Sequence, residues 1–172
     1  LFFRYEYACL KIYDFALCLE MYHFIGVRLF NFRGDILSEF MNYAIQLAQM
    51  VDGQTGVNPP VGSVVVKDGR IVGIGAHLRK GDKHAEVQAL DMAQSEAKGA
   101  TIYVSLEPCT HHGSTPPCVD KIIEAGIQKV IYAVKDTTLI SKGDDILKNA
   151  GIEVEFQYNA VAAQLYQDFF TA

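Results

Sequence analysis

Val61-Gly62-Ser63-Val64-Val65-Val66-Lys67-Asp68-Gly69-Arg70-Ile71-Val72-Gly73-Ile74-Gly75-Ala76-His77 holds two β-rich runs around a central Asp68-Gly69. Val61 to Lys67 and Ile71 to His77 each read as a strand, and Asp-Gly between such runs is a strong signal for a tight hairpin turn. Downstream, strand-like and helix-like segments alternate. His84 to Ala97 reads as a helix and Thr101 to Leu106 as an apolar strand. Thr110 to Pro117 is rich in turn residues, and Cys118 to Ala125 is a short helix stopped by Gly126. Lys129 to Val134 is a buried strand, Asp144 to Ala150 a helix ended by Gly151, Ile152 to Phe156 a last strand, and Val161 to Phe170 a terminal helix. A hairpin followed by this alternation predicts an α/β fold with a mixed sheet of about five strands and helices on both faces.

Upstream of the hairpin, Gly56-Val57-Asn58-Pro59-Pro60 reads as a loop. Before it, apolar residues at Ala44, Ile45, Leu47, Ala48 and Val51 recur at helical spacing, with Ser38 as a candidate N-cap and Asp52-Gly53 as the stop. Residues 1–36 differ in character. The first forty residues carry eleven of the nineteen aromatics, no Pro, and no Gly before Gly26. Their apolar positions follow neither helix nor strand period, and charges at Arg4, Glu6, Lys11, Asp14, Glu20 and Arg28 interrupt them. The longest uncharged stretch there, Met21 to Val27, falls far short of the ~20 residues that span a bilayer. We therefore expect an atypical N-terminal segment over 1–36, with Met41 or Leu37 as a native start, and one domain over 37–172. An additional N-terminal helix or two packed on the domain is the alternative.

The 172 residues are half apolar and one-fifth charged, as in soluble globular proteins. A net charge of −5 argues against tracking a nucleic-acid backbone, which needs clustered Lys and Arg. A small phosphorylated ligand remains compatible, since it needs only a few local donors. Nothing resembles a signal peptide, so a cytoplasmic, reducing setting is expected, with no membrane association. There, the four cysteines point to metal or catalysis before disulfides.

Three short pieces carry the chemistry: His84-Ala85-Glu86, Glu107-Pro108-Cys109 and Pro116-Pro117-Cys118. One imidazole and two thiolates supply the three protein ligands of a catalytic zinc site and leave a fourth position open. Two thiolates also balance the Zn²⁺ charge. Cysteines near helix N-termini are easier to deprotonate. Residues two apart on a helix point to nearly opposite sides, so His84 and Glu86 can serve one site only if the helix begins at or near His84. Glu86 then moves protons from the attacking water to a ring nitrogen and a leaving amine. Taken singly, His84 reads as a surface histidine and Glu86 as a solvated carboxylate; together with the cysteines they read as a site. A closed structural zinc is the rival, with His111 or His112 as fourth ligand. Cys9 and Cys18 repeat the eight-residue gap of Cys109 and Cys118 but lack a neighbouring Pro and a His-x-Glu partner. They, and His23, read as apolar filler or as part of a non-native segment.

Together, Asn58-Pro59 before a Val-rich strand, His84-Ala85-Glu86, the run Lys98-Gly99-Ala100-Thr101-Ile102-Tyr103-Val104, Glu107-Pro108-Cys109 and Thr115-Pro116-Pro117-Cys118 resemble the deaminase domain of riboflavin biosynthesis. The likeness runs from about Leu37 to Phe170. The eight-residue gap between the cysteines is its specific part, since cytidine, deoxycytidylate, guanine and tRNA-adenosine deaminases mostly use Cys-x-x-Cys.

The resemblance implies a three-layer αβα cytidine-deaminase-like fold and a Zn²⁺ cofactor. It implies hydrolysis of the 2-amino group of a diaminopyrimidinone carrying a ribosylamino 5′-phosphate. It places Asn58, His77 and His111 against the base or ribose phosphate, and Asp136 against the ribose. Two departures fall where phosphate and ribose would be held. Ser114 stands where Lys or Arg usually precedes Thr-Pro-Pro-Cys, leaving a hydrogen-bonding group without full charge. Asp136-Thr137-Thr138-Leu139 stands where Asp-Pro-Asn-Pro is usual. Lys135 or Lys142 is a candidate replacement cation. The family is often fused to a C-terminal reductase domain, so we expect such a domain or partner outside these residues, and no NADPH site within them. A homo-oligomer is also expected, through apolar helix faces buried between copies. The competing readings are a deaminase of another base, such as cytidine or guanine, and a catalytically silent zinc module; the intact Glu86 argues against the second.

Overall fold

The computed structural model describes residues 32–110, 116–137 and 143–171. The chain divides into two compact units, Leu1–Ile36 and Leu37–Ala172, and the fold below is that of the second. Its elements are α1 (Phe32–Met50), β1 (Gly62–Lys67), β2 (Arg70–Ala76), α2 (Ala85–Ala93) with a 3-10 turn (Gln94–Ala97), β3 (Thr101–Val104), α3 (Cys118–Glu124), β4 (Lys129–Tyr132), α4 (Gly143–Asn149), β5 (Glu153–Phe156) and α5 (Ala160–Thr171).

The five strands form one mixed sheet in the order β2-β1-β3-β4-β5. The hairpin is antiparallel, with Lys67 opposite Arg70, so Asp68 and Gly69 alone make the turn. Both have positive φ, 49° and 74°, which the twist of a two-residue hairpin demands. β1 also pairs antiparallel with β3, while β3, β4 and β5 run parallel.

Strand alternation sorts side chains into two cores. Val65, Ile102, Val104, Val130 and Tyr132 face Ala89 and Leu90 of α2, Val119 and Ile122 of α3, and Leu147 of α4. Val64, Val66, Tyr103 and Ile131 face Phe40, Met41, Ala44 and Ile45 of α1, and Ala162 and Tyr166 of α5. Helices on both sides of one sheet give the expected three layers.

The layer under α2 depends on two glycines. A methyl on Gly75 would collide with the Ala85 carbonyl, and one on Gly73 with the Ala89 carbonyl. Their missing side chains let the helix backbone rest directly on β2.

One expectation is corrected. α1 begins at Phe32, so Ser38 lies inside the helix instead of capping it. No Pro interrupts Phe32 to Ser38, and the single Gly34 costs only ~1 kcal/mol, so the backbone ladder extends past Ser38. The predicted helix from His84 begins one residue later, at Ala85. It changes to the 3-10 turn at Gln94, whose φ of 49° breaks the α-helical ladder. Strand ends fall within two residues of the predicted ones. No helix among the described residues is long and apolar enough to cross a membrane.

Candidate active site

β3 and β4 stop at Val104 and Tyr132, and the chain beyond each strand builds the site. Glu107 N–H donates to the Val134 carbonyl at 2.8 Å, tying the two extensions together. The site therefore lies beyond the carboxyl ends of neighbouring parallel strands, where the chain leaves the sheet and α/β folds place their ligands.

His84 is the N-cap of α2, with extended backbone (φ −64°, ψ 160°), and Glu86 lies in the first turn. This helix start lets residues two apart share one site. Pro117 caps α3, and Cys118 is its first residue. The Cys118 N–H, one of the helix donors with no partner in its own helix, donates to Cys109 Sγ at 3.4 Å. His84 Nδ1 sits 3.2 Å from Cys118 Sγ and 3.5 Å from Cys109 Sγ. The donor atoms of His84, Cys109 and Cys118 lie within 4.8 Å of one another. This soft S₂N donor set, brought together on rigid element ends, suits zinc, and both cysteines are free thiols.

The electrostatics follow from burial and proximity. A hydrogen bond between the two cysteine side chains lowers Cys109 to about 4 and pushes Cys118 up, with burial adding to the rise at Cys118. The two sulfurs titrate as a pair, the first proton leaving easily and the second with difficulty. Hydrogen bonding to Cys109 raises His84, against the effect of burial. Glu86 is 3 % exposed; burial, then the Cys109 charge, raises its carboxyl to about 7. A buried carboxyl poised near neutrality beside three soft ligands can both take and give a proton.

These groups open on a cavity of about 260 Å³ that is also lined by Asn58, His77 and Asp136. Asn58 Nδ2 lies 3.2 Å from His77 Nε2, and His77 Nδ1 lies 3.4 Å from the Lys83 carbonyl. Burial lowers the pKa of His77 from its ordinary value, against the hydrogen bond to the Lys83 carbonyl, which raises it. Asp136 N–H donates to Glu107 Oε2 at 3.2 Å.

Five sequence-derived residues thus line one cavity with Cys109: Asn58, His77, His84, Glu86 and Asp136. Cys118 joins them through the ligand cluster. His111, Ser114, His112, Thr138, Lys142, Cys9, Cys18 and His23 lie outside the described residues. Lys135 Nζ sits over the Phe156 ring, 5.3 Å from its centroid.

Sequence reading missed part of the wall. Val57, Pro59, Val61, Leu106, Phe169 and Phe170 supply apolar surface, and Glu107 supplies a carboxylate. Glu107 was visible within its motif but had no assigned task. The adjacent aromatics Phe169 and Phe170 at the end of an apolar helix were the available signal for this part of the lining.

Residues 35–134 match the family described as the cytidine and deoxycytidylate deaminase zinc-binding region. The chain is 50% identical over 140 residues to the riboflavin biosynthesis protein RibD of Aquifex aeolicus, covering 80% of this chain and 39% of that protein. It is 42% identical over 133 residues to the diaminohydroxyphosphoribosylamino-pyrimidine deaminase of Buchnera aphidicola, covering 76% of this chain and 90% of that one. The solved structure of Acinetobacter baumannii RibD superposes with a TM-score of 0.77 at 45% identity, over 80% of this chain and 40% of that chain. The chain thus spans well under half the length of the Aquifex protein and nearly all of the Buchnera one.

Proposed function

Because the chain belongs to the cytidine and deoxycytidylate deaminase zinc-binding family, we propose that residues 37–172 carry a zinc-dependent aminohydrolase of riboflavin biosynthesis. Its substrate is 2,5-diamino-6-ribosylamino-4(3H)-pyrimidinone 5′-phosphate. Hydrolysis replaces the ring 2-amino group by a carbonyl oxygen and releases ammonia, giving the corresponding pyrimidinedione. The observation that carries this reading is the buried Glu86 carboxyl in the same cavity as His84 and Cys109, whose donor atoms cluster with that of Cys118.

His84, Cys109 and Cys118 would hold the metal, which when bound polarises a water and lowers its pKa towards ~7. Glu86 takes a proton from the attacking water and returns protons to the ring nitrogen and the departing amine. Its elevated pKa suits it to both directions at neutral pH. Val57, Pro59, Phe169 and Phe170 offer apolar surface to the flat ring and limit water around it. Asn58 and Asp136 offer polar contacts at the cavity wall. His111 and Ser114 are read as further contacts, towards the ribose phosphate.

The protein is read as acting in the cytoplasm as a homo-oligomer, with a reductase domain or partner supplying the next step. Exposed Met92 on α2, Tyr43 and Met50 on α1 and Val161 on α5 support association through helix faces. A monomeric sedimentation profile would remove that part.

The test is ammonia release by the zinc-loaded protein from the phosphorylated diaminopyrimidinone, with cytidine and guanine as controls and Glu86→Ala as blank. Release from the phosphorylated pyrimidinone alone, lost in the variant, is the expected result. Release only from a control base keeps the hydrolytic mechanism and discards the riboflavin substrate. No release from any base, with zinc bound stoichiometrically, points to a silent zinc module.

A further inference from the structure

Ser105 is the first residue beyond β3. Strand alternation turns its side chain to the same face as Tyr103, towards α1 and α5. There its hydroxyl meets the phenol of Tyr166 on α5, with 2.6 Å between the two oxygens. Both residues are fully buried. The Ser105 hydroxyl also accepts the Gly62 N–H at 3.0 Å, and the Ser105 N–H donates to the Gly62 carbonyl at 3.0 Å. Gly62 in turn is a seat for α1, since a methyl there would collide with the Ala44 carbonyl.

Each of these three residues stands beside the cavity wall. Val61 precedes Gly62, Leu106 and Glu107 follow Ser105, and Phe169 and Phe170 come one helical turn after Tyr166. The Tyr166 and Phe170 rings pair with centroids 6.2 Å apart. Burial raises the Tyr166 phenol, the Ser105 hydrogen bond opposes the rise, and the Glu86 charge adds to it, so the hydroxyl pair lies within electrostatic reach of the proton carrier.

Ala162, Ala163 and Leu165 press α5 against this core. Apolar burial is non-directional and leaves a helix free to turn slightly about its axis. A hydrogen bond between two hydroxyls is short and directional, and it fixes that turn. Water cannot replace either partner, because both are sealed from solvent. Residues one turn apart share a helix face, so fixing Tyr166 fixes Phe169 and Phe170 as well.

We propose that Tyr166 is a positioning residue for substrate binding: its bond to Ser105 ties α5 to the start of β1 and the end of β3, and so holds Phe169 and Phe170 at the spacing from Val61 and Leu106 that admits a flat heteroaromatic ring. The identity of the ring rests on the deaminase reading above; the tie does not. Without the phenol, the two aromatics sample other placements, and only the fraction of molecules with the wall in place binds. KM rises by the inverse of that fraction, while kcat, set once the ring is seated, changes little.

Tyr166→Phe keeps the ring and removes the hydroxyl. In the zinc-loaded full chain, KM for the phosphorylated diaminopyrimidinone should rise about fivefold, the scale of one lost hydrogen bond, with kcat within about twofold. Ser105→Ala should raise KM at least as much. Adding Tyr166→Phe to it should change KM no further, because the pair is already broken. Ile131→Val, in the same core but on β4, is the control for lost stability alone and should leave KM unchanged. An unchanged KM in Tyr166→Phe, a fall in kcat in its place, a further rise in the double variant, or the same rise in Ile131→Val overturns the proposal. Amide hydrogen exchange reads the tie without any substrate. Exchange from Tyr166 to Phe170 should quicken in Tyr166→Phe and not in Ile131→Val; equal exchange in the two overturns the proposal. If no base releases ammonia, the deaminase reading fails, and hydrogen exchange alone still decides whether Tyr166 holds α5.

Discussion

Gly75→Ala tests how closely α2 must sit on β2. A methyl at Gly75 would fall inside contact with the Ala85 carbonyl, 2.8 Å from Ala89 N and 2.9 Å from Gln88 Cβ. All three are fixed by helix backbone, so the helix must give way. Restoring ordinary separations of ~3.5 Å lifts the start of α2 by about 1 Å. Ala85 lies between His84 and Glu86, so both move with it. Overpacking of this kind costs ~1–3 kcal/mol, which lowers Tm by roughly 2–12 °C in a chain of this size. A misplacement of ~1 Å at reacting groups costs ~100-fold in rate.

Gly73→Ala is the matched control. It meets the Ala89 carbonyl and Ala93 Cβ, a turn further from His84. The two variants should lose similar stability, while Gly75→Ala loses about tenfold more kcat in the ammonia-release assay. Thermal melts and zinc content are measured on the same samples. Equal loss of kcat at equal loss of Tm would refute the idea that this backbone seat governs the site.

Glu86→Gln should lower kcat by ~10²–10⁴ while zinc stays stoichiometric, because only the proton carrier is removed; retention of a tenth of the activity would reject that role. Chelation should abolish ammonia release with the main melting transition kept, since both cores are built from apolar side chains other than the ligands; loss of the transition would mark a structural metal. Burial raises the phenols of Tyr103, Tyr132 and Tyr166, so the folded chain keeps protons that the unfolded chain releases near pH ~10. This stabilisation is complete below that pH and is lost as pH rises through it. Urea midpoints from pH 8 to 11 should therefore fall, and fall less steeply in Tyr166→Phe; identical slopes would contradict the burial account.

Much of the fold was legible because it rests on local chemistry. Alternation in Val64-Val65-Val66 and Ile102-Tyr103-Val104 assigns each side chain to a face before any partner is known. Asp68-Gly69 specifies its own turn, and Gly126 and Gly151, with φ of 71° and 83°, end helices by accepting a left-handed backbone. Ser38 misled because capping is a preference that an intact backbone ladder overrides.

The residue types at 84, 86, 109 and 118 determined by themselves that a soft metal and a proton carrier were at hand, since imidazole, thiolate and carboxylate bring that chemistry wherever they meet. Their meeting was decided by the sheet. The order β2-β1-β3-β4-β5, with β2, β3 and β4 all running the same way, brings the end of β2 to the same edge of the sheet as the extensions of β3 and β4, which are far away in sequence. Only that closure buries Glu86, gives His77 its two partners and brings Phe169 and Phe170 into the same cavity lining as Asn58. Burial and hydrogen-bond partnership depend on every neighbour in space, and a sequence names only the neighbours along the chain.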